Sequence, residues 1–107
     1  MSDMIKVING KTYNTKTAAR VCSVSSPVSM SNFNWFSETL YRTPKGAFFI
    51  VGQGGPKTQW ADVAEDRSRG YGAGLLLLES DEAREMMEQA RCTLEEFEAA
   101  GFSVEEA

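Results

Sequence analysis

Residues 35–53 read WFSETLYRTPKGAFFIVGQ, and this stretch decides the fold. Two runs rich in aromatic and β-branched residues flank Pro44-Lys45-Gly46. Such residues suit a pleated, half-buried surface, and a turn carrying proline and glycine between them predicts an antiparallel hairpin. The second run is apolar on both faces from Phe48 to Val51, which predicts a central strand. A second, smaller hairpin is expected upstream in MIKVINGKTYN, with strands near 4–8 and 11–13. Its Asn9-Gly10 pair suits a type I′ turn, whose two central residues both need positive φ.

Outward from these hairpins the signals alternate. TKTAARVCSV (15–24) sets Ala18, Val21 and Cys22 at helical spacing, with Asn14 or Thr15 as cap, so a short helix is expected there. SVSSPVSMSNFN (23–34) is a loop by composition, since serine and asparagine compete with regular backbone bonding. PKTQWADVAE (56–65) is expected as a helix started by Pro56, with Trp60, Val63 and Ala64 facing inward. DRSRGYGAG (66–74) is expected as a mobile polar loop, and GLLLLE (74–79) as a buried strand. Ser80 is the expected cap of a helix whose Asp81 and Glu82 complement the positive helix end, with Ala83, Met86, Met87 and Ala90 in one stripe. Thr93 and Glu96 have the spacing of a capping box, and Gly101 the position of a helix stop. The expected fold class is α+β: a single domain over 1–107, with an antiparallel sheet of about five strands and helices packed on one face. Residues 102–107 are expected to be a frayed acidic tail.

Composition narrows the chemistry. The 107 residues are 42% hydrophobic and 24% charged, ordinary for a soluble globular domain. The longest run of large apolar residues, Leu75–Leu78, is far too short to span a bilayer. The N-terminus MSDMIKV has no signal-like apolar stretch, so the expected location is the cytoplasm. There is no histidine, which removes the usual general base near neutral pH and most zinc sites. Cys22 and Cys92 form no C-x-x-C pair and are expected as small hydrophobes, not a disulfide. Charge is segregated. Residues 1–78 hold nine Lys/Arg against five Asp/Glu, whereas residues 79–107 hold two against ten.

VGQGGPKT (51–58) invites comparison with a phosphate-binding loop. The pattern G-x-x-x-x-G-K-[ST], anchored on Lys57 and Thr58, puts Val51 and Pro56 where its two glycines belong. Pro56 also lacks the N–H that such a loop aims at phosphate. The glycines are read as a tight strand exit, with contact to a partner through Gly54, Gly55 and Lys57 left open. Paired carboxylates occur only in the acidic helices (Asp81 with Glu85, Glu82 with Glu85, Glu95 with Glu98), where a solvated face explains them. The serines at 23, 25, 26, 29 and 31 have no G-x-S-x-G context and no histidine to activate them. No catalytic residue, cofactor or metal is expected, and an enzyme is the least expected class. Trp35, Phe36, Tyr41, Phe48 and Phe49 beside Arg42 and Lys45 raise single-strand stacking, but strand spacing assigns them mainly to the core.

The segments INGKTYNTKTA (8–18), ETLYRTPKGAFFIVGQGGPKTQWA (38–61) and DEAREMMEQA (81–90) together resemble a group of small, mostly uncharacterised proteins encoded by bacterial phages and mobile elements. The matching pieces span most of residues 5–90. The resemblance brings no catalytic residues. It implies an accessory protein that binds host machinery, a class that includes inhibitors of bacterial defence such as anti-CRISPR proteins. The expected function is therefore a non-enzymatic interaction module. Its contacts are the acidic face (Glu82, Glu85, Glu88, Glu95) against a basic surface, or the loop Gly52–Lys57 with Arg42 and Lys45. The alternative is a small nucleic-acid-binding protein using Arg42, Lys45, Lys57 and nearby aromatics. Homodimerisation through an exposed strand edge is compatible with either.

Overall fold

The computed structural model describes residues 4–107. The hairpin at its centre forms as expected. Strands β4 (Phe36–Arg42) and β5 (Phe48–Gly54) pair antiparallel without a break, from Phe36 opposite Gly54 to Arg42 opposite Phe48. Thr43 closes the connection: its N–H donates to Ala47 O at 2.8 Å, and its hydroxyl accepts the Ala47 N–H at 3.0 Å.

β5 lies centrally. Its other edge pairs with β8 (Gly72–Leu78), and the outer edge of β4 pairs with β3 (Ala19–Ser25). The sheet thus has four antiparallel strands in the order β3-β4-β5-β8. This corrects the expectation of about five. The remaining strands form two separate ribbons, β1 (Ile5–Ile8) with β2 (Lys11–Asn14) and β6 (Asp62–Val63) with β7 (Arg69–Gly70). The first ribbon turns as Asn-Gly requires, with φ of 51° at Asn9 and 76° at Gly10.

Three local expectations are overturned. Residues 19–25 form a strand, not the second half of a helix. The register slips between Arg20 and Cys22. A bulge of this kind sets two residues of one strand against one of its partner, so Val21, Cys22 and Val24 can all pack on the same core. That spacing imitates a helical stripe. The segment 56–65 is likewise not a helix but a pair of turns leading into β6. Thr58 ties back the first turn, its N–H and hydroxyl both donating to Gly55 O at 3.0 and 2.8 Å. The glycine-rich stretch 66–74 is largely strand: β7 lies within it, and β8 begins at Gly72.

Two helices follow, α1 (Ser80–Gln89) and α2 (Leu94–Ala99). The cap of α1 is Glu79, one residue ahead of the expected Ser80, and its N–H donates to Glu82 Oε1 at 2.9 Å. The α2 capping box forms as read from the sequence: Glu96 N–H donates to Thr93 Oγ1 at 3.2 Å, and Thr93 N–H to Glu96 Oε1 at 2.8 Å. Gly101 follows with φ 90°, the left-handed stop that glycine accommodates.

Strand alternation separates two hydrophobic clusters. Leu40, Phe48 and Ile50 gather with Trp60 and with Ala83, Met86 and Met87 of α1. Tyr41, Phe49, Val51 and Leu75 gather with Tyr13 of β2. Phe49, fully buried, stacks on Tyr41 at 5.3 Å and meets Tyr13 edge-on at 5.8 Å. Phe102 stacks on Phe48 at 5.4 Å, so the expected tail is anchored at its first residue, and residues 103–107 continue exposed and without regular structure. Among the described residues, no helix is long and apolar enough to cross a membrane.

Candidate functional site

The glycine segment has a defined structural task. In β5 and β8, Gly52 lies opposite Gly74 and Gly54 opposite Gly72, leaving a lane of the sheet without side chains. Trp60, only 6% exposed, lies in that lane. A Cβ on Gly52 would overlap the indole at Cε2 and Cζ2, and a Cβ on Gly74 would touch it at 3.6 Å. Gly72 meets the backbone of Trp60 and Asp62 too closely for any side chain. The indole N–H donates to Glu38 Oε2 at 2.7 Å, and the Gln59 side-chain amide donates to the same oxygen at 2.7 Å. Glu38 lies opposite Gly52 in the β4–β5 register, so it stands at the border of the lane. A buried indole needs such an acceptor.

The amides that a phosphate loop would aim at a ligand are committed elsewhere. Gly55 N–H donates to Trp35 O at 2.8 Å, Lys57 N–H to Phe33 O at 3.0 Å and Thr58 N–H to Gly55 O at 3.0 Å. Gly54 and Gly55 are buried, and a Cβ on Gly55 would come within 2.5 Å of Phe33 O. Only Lys57 of this group presents an exposed side chain.

The expected basic cluster is divided. Lys45 lies in the β4–β5 turn and Lys57 beyond the far end of β5; a seven-residue strand separates them, about 20 Å at ~3.3 Å per residue. Arg42 is half-buried near Gly46 and Gly101, and a Cβ on Gly101 would lie 3.1 Å from its Nη2. Its cation therefore stands at the C-terminal end of α2, where the helix dipole favours positive charge. The Arg42 Nε is buried without a hydrogen-bond partner. Of the aromatics considered for stacking, Phe48 and Phe49 are buried, while Trp35, Phe36 and Tyr41 are half-buried.

The acidic residues Glu82, Glu85, Glu88 and Glu95 are all exposed. Glu82 is engaged in the cap of α1. Across the described residues, the side-chain hydrogen bonds of Glu38, Asp66, Asp81, Glu82 and Glu96 come from neutral donors. Asp66, fully exposed, is held below the usual carboxylate range by its bonds from Ser68.

Two other features had no signal in the sequence. A cleft of about 520 Å³ opens between the β1–β2 ribbon and the β4–β5 turn, lined among others by Lys11, Thr12, Thr17, Thr43 and Lys45. Cys22 and Cys92, far apart in sequence, are both free and half-buried, and they pack against the same core. Burial, reinforced by Cys92, pushes the Cys22 thiol up to about 12. Burial also raises Cys92. Among the described residues, no three His, Cys, Asp or Glu side chains are grouped to hold a metal.

No protein-family model matches the chain, and no curated protein or solved structure matches it either.

Proposed function

We propose that the protein is a non-enzymatic interaction module of phage or mobile-element origin. It binds a basic surface on a host protein through its C-terminal acidic face, and the target class is a bacterial defence complex such as CRISPR–Cas. The observation supporting this reading is the exposure of Glu85, Glu88 and Glu95 on two consecutive helices, where the neighbouring carboxylates of Asp81, Glu82 and Glu96 take their hydrogen bonds from neutral backbone N–H groups. Uncompensated charge of one sign steers association with a surface of the other sign.

A tagged pull-down from bacterial lysate, with and without nuclease, tests it. A specific protein should be retained after nuclease treatment and released by the triple variant Glu85→Lys, Glu88→Lys, Glu95→Lys, which spares the capping residue Glu82. Retention of the same protein by the variant overturns the acidic-face reading.

A second reading, binding of single-stranded nucleic acid, draws on Lys11 and Lys45 in the cleft beside the β4–β5 turn. It requires affinity that falls with salt, with a log–log slope of about −0.7 per phosphate contact. Material lost on nuclease treatment moves this reading to first place.

A further inference from the structure

The two outer strands of the sheet differ sharply. β3 is defended as natural edges are: it contains Arg20, two serines and the bulge between Arg20 and Cys22, and charges and bulges both discourage further strand pairing. β8, GAGLLLL, has no charge and no proline. It pairs with β5 through all seven residues without a slip, so its opposite edge presents a regular row of backbone donors and acceptors. Leu76 and Leu77, on opposite faces of the sheet, are 43% and 39% exposed. A long, apolar, regular edge is a template for another strand.

We propose that the occupant of this edge is β8 of a second copy of the chain, paired antiparallel about a twofold axis at Leu75. The order of residues within β8 argues for self-pairing. Its first three positions are glycine or alanine and its last four are leucine. Antiparallel pairing centred on Leu75 sets Gly72 opposite Leu78 of the second copy, Ala73 opposite Leu77 and Gly74 opposite Leu76. On one face Leu77 of the second copy then meets only the small, exposed Ala73; on the other, Leu76 and Leu78 of the second copy come up beside the Trp60 indole and the 60–62 backbone that cover Gly74 and Gly72. A twofold axis makes the surface self-complementary, as an isologous dimer requires. The result is one continuous sheet across two copies. The acidic faces are not part of the seam, so the dimer stands or falls independently of the proposed host partner.

Sedimentation velocity over a concentration series of the full chain tests for the dimer, which should form in the micromolar range. The double variant Leu76→Lys, Leu77→Lys should weaken association by ~10-fold or more, while its far-UV circular dichroism stays native. Register is tested by cross-linking. In the variant Ala73→Cys, Leu77→Cys, the new thiols lie opposite one another across the twofold axis. Mild oxidation with diamide, which takes up the two thiol protons and two electrons as the S–S bond forms, should give a covalent dimer. The 73–77 link is read by peptide mass mapping, so that Cys22 and Cys92 stay in place. Ala73→Cys alone should not cross-link, because the two copies of residue 73 are offset by about 13 Å along the strands, beyond the ~7 Å Cα separation a disulfide bridges. A native chain that stays monomeric up to millimolar concentration overturns the proposal. So does an Ala73→Cys single variant that cross-links as readily as the double variant.

Discussion

Replacing Gly52 by alanine adds one methyl group where the Trp60 indole lies. The new Cβ would overlap two carbons of the ring, and β5 cannot withdraw because both its edges are paired. The indole must leave the lane. That exposes a side chain now only 6% accessible and separates its N–H from Glu38 Oε2. Truncating a buried tryptophan to alanine costs about 3–5 kcal/mol. Displacement keeps some contacts, so the expected loss for Gly52→Ala is about 3 kcal/mol, at the lower end of that range. For a domain of this size each kcal/mol moves Tm by roughly 4–8 °C, which gives a fall of about 12–24 °C. Urea melts followed by circular dichroism give the free energy. Tryptophan emission reports the indole, in a Trp35→Phe background so that Trp60 is read alone, and should shift to the red in the variant. The decisive control is a double-mutant cycle. If the cost is the clash, Gly52→Ala should be nearly harmless once Trp60→Leu has removed the ring. A cost that persists without the indole, or a single variant within about 0.5 kcal/mol of the native chain, refutes the account of the glycine lane.

Glu38→Leu leaves the indole N–H without its acceptor and should cost about 2–3 kcal/mol in urea melts, whereas Glu38→Gln retains an acceptor and should cost about 1 kcal/mol. Gly10→Ala should destabilise by about 1–2 kcal/mol because φ is 76° there, although nothing lies within 4 Å of the added Cβ; Gly70→Ala, in open space without a positive φ, should stay within about 0.5 kcal/mol of the native chain, and equal losses at the two sites would count against a backbone cause. The Cys22 thiol, raised from 9.0 to about 12 on folding, holds its proton more tightly in the native state. Its contribution to stability is complete below pH 9 and declines as pH rises toward 12; urea melts across that window should show a decline that Cys22→Ala reduces. At pH 8 the native Cys22 should react with iodoacetamide far more slowly than in urea, and equal rates would contradict its burial.

Much of the architecture was legible in the residues themselves. Pro44-Lys45-Gly46 and Asn9-Gly10 each fix a local chain reversal by φ alone, so the two hairpins could be read from short windows. Thr93 and Glu96 satisfy each other's backbone amides within one turn, so that capping box was equally plain. The failures share one physical cause, which is that the deciding partner lies far away in sequence. Ala18, Val21 and Cys22 have helical spacing, yet pairing with β4 and a bulge turn their segment into a strand. Trp60, Val63 and Ala64 have it too, but the glycine lane captures the indole and leaves no helix around it.

The candidate site divides in the same way. Sequence order put Arg42, Lys45 and Lys57 near one another; the fold sets Lys45 and Lys57 at opposite ends of β5 and places Arg42 at the end of α2. The acidic run 79–98 needed no tertiary information, because consecutive glutamates on short helices stay exposed wherever the helices dock. By itself the sequence determined turns, caps, the absence of histidine and the segregation of charge, all properties of neighbouring residues or of composition. Only the tertiary structure decided what Gly52, Gly54, Gly72 and Gly74 are for. A glycine's role depends on what approaches the missing Cβ, and here the approaching group is the Trp60 indole at Gly52 and Gly74, the Thr58 side chain at Gly54 and the Trp60–Asp62 backbone at Gly72.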